Sequence, residues 1–235
     1  MTVELVSVAG VDKVFRTTAE HVVALANVEF RARAGDLICV HGASGSGKST
    51  LLNVIAGLEV PDGGSVVVAG QELVGASEAV RTRVRLSTMG IVFQDDNLLF
   101  ELSAAENLQL PLEAMGLTSR QSRAEAESAL RRVGLADLVD RMPAEMSGGQ
   151  QQRVGIARAL TGGRSVILAD EPTGSLDSDT SRGLFELLRQ LANAGSLVVV
   201  ATHDPLGAEF ASRLLDMVDG KLSERAPGLL DFACD

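Results

Sequence analysis

The sequence predicts an α/β fold with a parallel β-sheet at its core, an antiparallel β part at the N-terminus and an inserted helical subdomain. Short apolar runs alternate with helix-like segments, a pattern typical of parallel sheets. Two β-branched stretches, residues 3–8 and 22–30, precede that alternation. Between residues 95 and 145 the pattern becomes helical. We expect a single domain over residues 1–235, in which residues 1–94 and 146–235 form the core with its β part and residues 95–145 form the helical subdomain.

The core elements follow in order along the chain. Apolar, β-branched runs predict strands at residues 36–40, 65–69, 89–93, 166–169, 197–202 and 213–218. Helical spacing predicts helices at residues 48–56, 119–133, 147–160 and 178–194. Gly57 and Gly134 end two of these helices, because glycine readily adopts the left-handed conformation of a helix C-terminus.

Composition limits the classes of function. Hydrophobic residues make up 46% of the 235 residues and aromatic residues 3%, so the core is aliphatic. The net charge of −10 argues against nucleic-acid binding, which needs a basic face. Apolar runs fall short of the ~20 residues that cross a bilayer, so we expect no direct membrane insertion. The two cysteines, Cys39 and Cys234, do not form a disulfide or metal pattern, which suits a reducing cytoplasm.

A glycine-rich segment, GASGSGKS, lies between the strand at residues 36–40 and the next helix. It fits the P-loop pattern G-x-x-x-x-G-K-[ST], in which backbone N–H groups surround phosphate oxygens. Lys48 would supply a positive charge to the phosphates, and the Ser49 hydroxyl would bind Mg²⁺. This segment thus predicts a P-loop NTPase core that uses a nucleoside triphosphate and Mg²⁺; the motifs further along the chain make that nucleotide ATP. The predicted nucleotide-binding residues of this segment are Gly42, Ala43, Ser44, Gly45, Ser46, Gly47, Lys48, Ser49 and Thr50.

Two adjacent carboxylates, Asp170 and Glu171, end the apolar strand at residues 166–169. Parallel α/β sheets bind ligands at the carboxyl ends of their strands. Asp170 is therefore a candidate Mg²⁺ ligand, and Glu171 a candidate base for an attacking water. The alternative is a solvated acidic turn, which the neighbouring P-loop makes the weaker interpretation.

With these motifs and the segment MSGGQQQR, which begins at Met146, the chain resembles the nucleotide-binding subunit of an ABC transporter over essentially its whole length. The resemblance implies catalytic roles for Glu171, for the switch histidine His203 and for Gln94, which also senses Mg²⁺ and the membrane partner. It implies three metal-binding residues, Ser49, Gln94 and Asp170. The signature residues are Ser147, Gly148, Gly149 and Gln150, and the D-loop residues are Ser175, Leu176 and Asp177. All of these positions are filled, so we expect an active ATPase.

The signature segment has a physical interpretation of its own. Ser147 is an N-cap residue, and Gly148 and Gly149 leave the N–H groups of the following helix open. The chain therefore carries a second potential anion site. In the family, the P-loop of one subunit and the signature of the other enclose each nucleotide, which predicts a head-to-tail homodimer. The alternative is that Ser147 only caps its helix.

Two candidate contacts depend mainly on position. His203 follows the strand at residues 197–202, where it could bond the γ-phosphate, although a lone histidine is often purely structural. Phe15 occupies the place where the family stacks an aromatic residue, usually Tyr, on adenine. The alternative for Phe15 is a core residue.

Two further segments, AENLQLPL from Ala105 and DEPTGSLD from Asp170, resemble the cassettes of lipoprotein-releasing, macrolide-exporting and cell-division systems. Those cassettes drive a separate membrane permease, which predicts a peripheral location on the cytoplasmic face of the membrane. Leu98, Leu99, Phe100 and Leu102 form an apolar run after Gln94 that either contacts the permease or packs inside the helical subdomain.

Two other classes of protein remain as alternatives. One is a soluble ABC ATPase of translation or DNA repair; such proteins carry paired cassettes, coiled coils or zinc cysteines. The other is a P-loop kinase, which would leave the signature segment unexplained.

Overall fold

The computed structural model describes residues 3–16, 21–95 and 97–225. An antiparallel sheet holds the N-terminal strands in the order β2-β1-β4-β5. These strands are β1 (Glu4–Arg16), β2 (His21–Arg33), β4 (Gly63–Val68) and β5 (Gln71–Glu72). The first two are much longer than predicted, and both carry bulges that shift their register.

The central sheet has the order β10-β9-β3-β8-β7-β6. Its strands run parallel except for the edge strand β10, which is antiparallel to β9. The bounds are β3 (Leu37–His41), β6 (Met89–Val92), β7 (Val166–Asp170), β8 (Leu197–Thr202), β9 (Arg213–Val218) and β10 (Lys221–Glu224). The predicted combination of a parallel sheet and an N-terminal antiparallel part is confirmed.

The α-helices of the described residues are α1 (Lys48–Ile55), α2 (Glu78–Thr88), α3 (Ala104–Ala114), α4 (Ser119–Arg132), α5 (Gly148–Leu160), α6 (Ser178–Asn193) and α7 (Pro205–Phe210). Capping boxes begin α3 and α4, where the side chains of Ser103 and Thr118 accept backbone hydrogen bonds from the third helical residue. Throughout the described ranges, no helix is both long and apolar enough to cross a membrane.

Three apolar clusters hold the elements together. One lies between the antiparallel sheet, α1 and one face of the central sheet. The second packs α5 and α6 on the other face, and the third joins α3 and α4 to α5. Helix α5 therefore contributes to both the central core and the helical segment. Cys39 is buried in β3, and burial raises the pKa of its thiol to about 12; Cys234 lies outside the described residues.

Candidate active site

The P-loop begins where β3 ends and curls into the N-terminus of α1. Two of its glycines are required by close backbone approaches. A Cβ on Gly42 would lie 2.3 Å from the carbonyl oxygen of Met217, and one on Gly47 would lie 2.3 Å from that of Ala24. Gly47 also has a φ of 112°, which side chains rarely adopt. The loop can therefore keep its shape only with glycine at these positions.

Lys48 is almost fully buried beside this loop. Its Nζ donates hydrogen bonds to the carbonyl oxygens of Gly42 at 2.8 Å and Ala43 at 3.1 Å. The same Nζ lies 3.7 Å from Oε1 of Glu171. The ammonium group thus sits between the glycine-rich loop and the acidic end of β7, and it partly compensates the charge of Glu171.

Asp170 ends β7 in a partly buried position. Burial raises the pKa of Asp170, and its hydrogen bond with the Ser49 hydroxyl opposes that rise. Its Oδ1 atom is buried without a hydrogen-bond partner among the described residues. A hydroxyl and an unsatisfied carboxylate oxygen are the hard ligands that Mg²⁺ prefers, so these two side chains fit that ion.

Glu171 adopts a left-handed backbone conformation with a φ of 44°. Its N–H donates to the carbonyl oxygen of Ala201 at 2.8 Å, which fixes it at the edge of β8. Its carboxylate accepts a hydrogen bond from the Thr202 hydroxyl at 3.0 Å, and Nδ1 of His203 lies 3.0 Å from both carboxylate oxygens. The structure therefore brings together the two residues that the sequence singled out at the ends of neighbouring strands.

A cavity of about 820 Å³ collects most of the predicted nucleotide-binding residues. The predicted residues that line it are Phe15, Ala43, Ser44, Gly45, Gly47, Lys48, Ser49, Thr50, Gln94, Glu171, Ser175 and His203. Phe15 lies at its rim near the end of β1 and is 39% exposed, so it is not a core residue. Gly42 and Ser46 line an adjoining cavity that shares Ala43, Ser44 and Gly45 with the first.

The signature residues lie elsewhere. Ser147 caps α5: its hydroxyl accepts a hydrogen bond from the N–H of Gln150, and the Gln150 side chain accepts one from the N–H of Ser147. None of the signature residues Ser147, Gly148, Gly149 and Gln150 is among the described residues that line the 820 Å³ cavity. Of the D-loop residues, Ser175 lines the cavity, and Asp177 caps α6 through the N–H of Thr180, which lowers the pKa of Asp177. The exposed N-terminus of α5 thus remains a separate potential anion site.

The sequence model of the ABC transporter family matches residues 25–174. The chain belongs to the ABC transporter family.

Solved structures agree with this assignment. The cassette is similar to MJ0796, described as a bacterial ABC transporter cassette with a dimeric structure. A second MJ0796 structure shows a post-hydrolysis dimer bound to ADP and Pi. The match has a TM-score of 0.91 and 36% identity, and it covers 94% of this chain and 98% of that one. This cassette is accordingly a nucleotide-binding ATPase, and these matches do not favour a P-loop kinase.

Curated relatives include macrolide export ATP-binding/permease proteins named MacB. The MacB of Salmonella paratyphi A is 40% identical over 223 residues, and MacB 1 of Yersinia pestis bv. Antiqua is 42% identical over 218 residues. These alignments cover 95% and 93% of this chain. The chain spans about a third of the length of these relatives, 34% in both cases. The predicted resemblance to macrolide-export cassettes is confirmed, and a soluble ABC ATPase of translation or repair is not favoured.

The cassette also places residues in the cavity that sequence reasoning did not select. Val22 and Ala24 of β2 extend its apolar lining near Phe15, and Gln152 of α5 also lines it. Gln152 is 1% exposed, whereas its sequence neighbours Gln151 and Arg153 are only partly buried. The run of three glutamines after the signature glycines was the only signal, and helical spacing alone does not show which one points inward.

Proposed function

We propose that this cassette binds Mg²⁺-ATP in the 820 Å³ cavity, dimerises head-to-tail and couples ATP hydrolysis to a membrane permease. One observation carries this proposal. The P-loop, Glu171 and His203 share one cavity, whereas none of the signature residues lines it and the N-terminus of α5 that they form is a second potential anion site. A second copy of the chain would complete each site.

The predicted residues have different roles within this cavity. Lys48 and the N–H groups of the P-loop bind the β- and γ-phosphates, and Phe15 stacks on adenine. Ser49, Gln94 and Asp170 hold Mg²⁺, which neutralises charge on the phosphate oxygens when bound. Glu171 accepts the proton of the attacking water. His203 and Thr202 orient its carboxylate in the present geometry, and His203 turns to the γ-phosphate when ATP is bound.

The dimer would place Ser147, Gly148, Gly149 and Gln150 of one cassette against the nucleotide of the other. The similar MJ0796 cassette forms a dimer, and one of its structures contains ADP and Pi. The free N-terminus of α5 supports the same arrangement here, because uncovered helix N–H groups attract phosphate. Ser175, the first D-loop residue, lines the cavity, and a Cβ on Gly149 of the signature would lie 3.0 Å from its carbonyl oxygen.

The permease surface would lie around the loop after Gln94. Leu99 and Phe100 are 45% and 54% exposed, whereas Leu98 is buried in the helical cluster. Asn107 fixes this loop: its amide bonds the N–H and carbonyl of Leu99 and the carbonyl of Leu102 at 2.8–3.0 Å. A rigid loop that exposes apolar side chains is typical of a docking surface.

We further propose that the cassette works at the cytoplasmic face of the membrane. The names of the MacB relatives combine ATP-binding and permease functions in one protein, and this chain matches about a third of their length. A permease on a separate chain, driven through export, lipoprotein release or mechanical coupling, remains our prediction from the sequence.

The assignment of Glu171 is tested by Glu171→Gln. We expect Mg²⁺-ATP binding to persist and steady-state phosphate release to fall by at least ~10²–10⁴-fold, because the amide cannot accept the proton. Glu186→Gln, an exposed carboxylate on α6, is the matched control and should keep normal turnover. Near-normal turnover of Glu171→Gln would remove Glu171 from the mechanism.

A further inference from the structure

The amide of Gln152 connects two segments of the active site. Its Oε1 accepts a hydrogen bond from the backbone N–H of Ser175 at 3.1 Å. Its Nε2 donates to the backbone carbonyl oxygen of Glu171 at 3.3 Å. A backbone N–H only donates and a carbonyl only accepts, so these two partners fix the orientation of the amide. The side chain therefore ties α5 to both ends of the turn that follows β7.

This turn is short and strained. Glu171 has a φ of 44°, and its carbonyl oxygen also accepts a hydrogen bond from the N–H of Gly174 at 3.2 Å. Ser175 follows at once and begins the D-loop. A displacement of the Gln152 amide would act directly on the backbone that aims the Glu171 carboxylate. It would act equally on the backbone that starts the D-loop.

The other end of the connection is the signature segment. Ser147 caps the helix that carries Gln152, and Gly148 lies one helical turn before it. Val154 and Ile156 of α5 are buried in separate apolar clusters. The first turns of the helix therefore continue into a segment that is packed on two sides. Because the signature residues and Gln152 lie on the same first turns of α5, a displacement of this end of the helix would move them together.

We infer that Gln152 is a positioning residue that makes the placement of Glu171 and the D-loop depend on the position of the signature helix. The inference rests on the proposed roles of Glu171 and the signature. In the dimer, the signature of each cassette acts on one nucleotide and its Glu171 on the other. The Gln152 amide then links the two composite sites, so that the base of one site is aligned only when the signature is seated in the other.

The primary test is Gln152→Met, which keeps the length of the side chain and removes both hydrogen bonds. We expect kcat to fall about 10–100-fold with KM changed less than about threefold, because a misplaced base affects the chemical step and spares ground-state binding. Thr161→Val is the matched control. It removes a buried side-chain hydrogen bond, from Thr161 Oγ1 to the Arg158 carbonyl at 2.8 Å, at the opposite end of the same helix.

A second variant, Gln152→Glu, separates the two bonds. The carboxylate can still accept from the N–H of Ser175 but cannot donate to the carbonyl of Glu171. We expect a loss of kcat at least as large as that of Gln152→Met and a lower melting temperature, because the buried carboxylate would face the Glu171 carbonyl oxygen without a donor. Thermal melting of both variants, with kcat expressed per folded protein, separates a misplaced base from a loss of folded protein.

Coupling to the signature is measured by combining Gln152→Met with Ser147→Ala. If Gln152 transmits the position of the signature, the double variant should lose less kcat than the product of the two single losses. Normal kcat in both Gln152 variants, an equal loss in Thr161→Val, or losses that simply multiply would overturn the inference. Glu171→Gln is assayed in parallel: if it is inactive while the Gln152 variants are normal, only this inference fails.

Discussion

At the scale of single residues, the backbone of Glu171 is the most informative feature. A φ of 44° in a residue with a Cβ costs about 1–3 kcal/mol, and such strain persists only where the surroundings enforce it. Here the Ala201 carbonyl, the Thr202 hydroxyl and the Gln152 amide all hold the residue. The strained turn directs the carboxylate towards Lys48 and His203. The unusual backbone conformation of Glu171, at the wall of the cavity, therefore agrees with a catalytic role for its carboxylate.

Phe15 provides a prediction at this scale. Its ring is 39% exposed at the rim of the cavity, and Nζ of Lys13 lies 5.1 Å from the ring centroid. We expect Phe15→Ala to raise the Kd for ATP about 10-fold, or ~1.4 kcal/mol, the scale of base–aromatic stacking. Phe15→Tyr should retain the wild-type affinity. Equilibrium binding of a fluorescent ATP analogue measures both, and an unchanged Kd in Phe15→Ala would show that adenine binds elsewhere.

The site residues differ in how far the sequence could predict them. The P-loop, Asp170 and Glu171 could be predicted because each lies at the end of an apolar strand. Their residue types and spacing within a few positions already indicate phosphate and Mg²⁺ binding. Gln152 was missed because its importance comes from two backbone atoms that are 19 and 23 residues away in sequence. The strained backbone of Glu171 likewise could not be predicted, because the contacts that hold it come from β8 and α5, which are distant in sequence.

At the scale of secondary structure, the central strands were predicted closely and the surface elements were not. Strands β3, β7 and β8 are buried nearly throughout, so their apolar runs are continuous and unambiguous. Helix α2 has no fully buried residue, although Val84 packs against the first apolar cluster. Polar contacts also hold it, since Arg81 and Arg85 pair with Glu78, and Arg85 bonds the Gly57 carbonyl at 2.8 Å.

Glu72 gives the edge of the antiparallel sheet a pH dependence. Burial alone would raise the pKa of Glu72, but hydrogen bonds from the Ser65 hydroxyl and the N–H groups of Val74 and Val66 together lower it. A carboxyl whose pKa is lowered by folding stabilises the fold above its ordinary pKa of 4.5. That contribution is lost as the pH falls through the lowered value.

We therefore expect Glu72→Gln to lower the melting temperature at pH 7 by about 2–4 °C, the shift that ~1 kcal/mol causes in a domain of this size, because a neutral amide oxygen accepts these hydrogen bonds more weakly than the carboxylate. The difference from the wild type should shrink as the pH falls below 4.5, the ordinary pKa of this carboxyl. Glu29→Gln, an exposed position on β2 of the same sheet, is the control. A pH-independent difference would mean that shape, not charge, stabilises this hairpin.

At the scale of the whole molecule, α5 joins parts that the sequence treated as separate. The predicted boundary at residue 146 assigned this helix to the core, and its apolar residues in fact divide between the central cluster and the helical cluster. A sequence pattern shows that a helix is apolar on several sides. It does not show which partners those sides meet, because they come from distant parts of the chain.

The exposed loop after Gln94 should be required for permease binding. We expect Leu99→Asp or Phe100→Asp to keep the fold and ATP affinity but to abolish association with the permease, because a charge would be buried at the contact. Leu98→Asp should instead lower the melting temperature, since Leu98 is 8% exposed. Val3→Asp, at a 63% exposed position just before β1, controls for charge alone. Pull-down of the permease and thermal melting of each variant test this prediction. Association that survives both Leu99→Asp and Phe100→Asp would place the docking surface elsewhere.

ATP-dependent dimerisation is also a property of the whole molecule. We expect the chain to be mainly monomeric without nucleotide, and the Glu171→Gln chain to dimerise with ATP, because hydrolysis no longer removes the nucleotide that joins the two halves. Light scattering with and without ATP measures this. The sharper test adds Gly148→Asp, since a Cβ at Gly148 has no atom within 4 Å and an acid is favourable in the first helical turn. The added carboxylate should leave the monomer and its ATP affinity intact and repel the partner's γ-phosphate, so that the double variant stays monomeric. A double variant that dimerises as readily as Glu171→Gln would show that the signature does not face the partner's nucleotide.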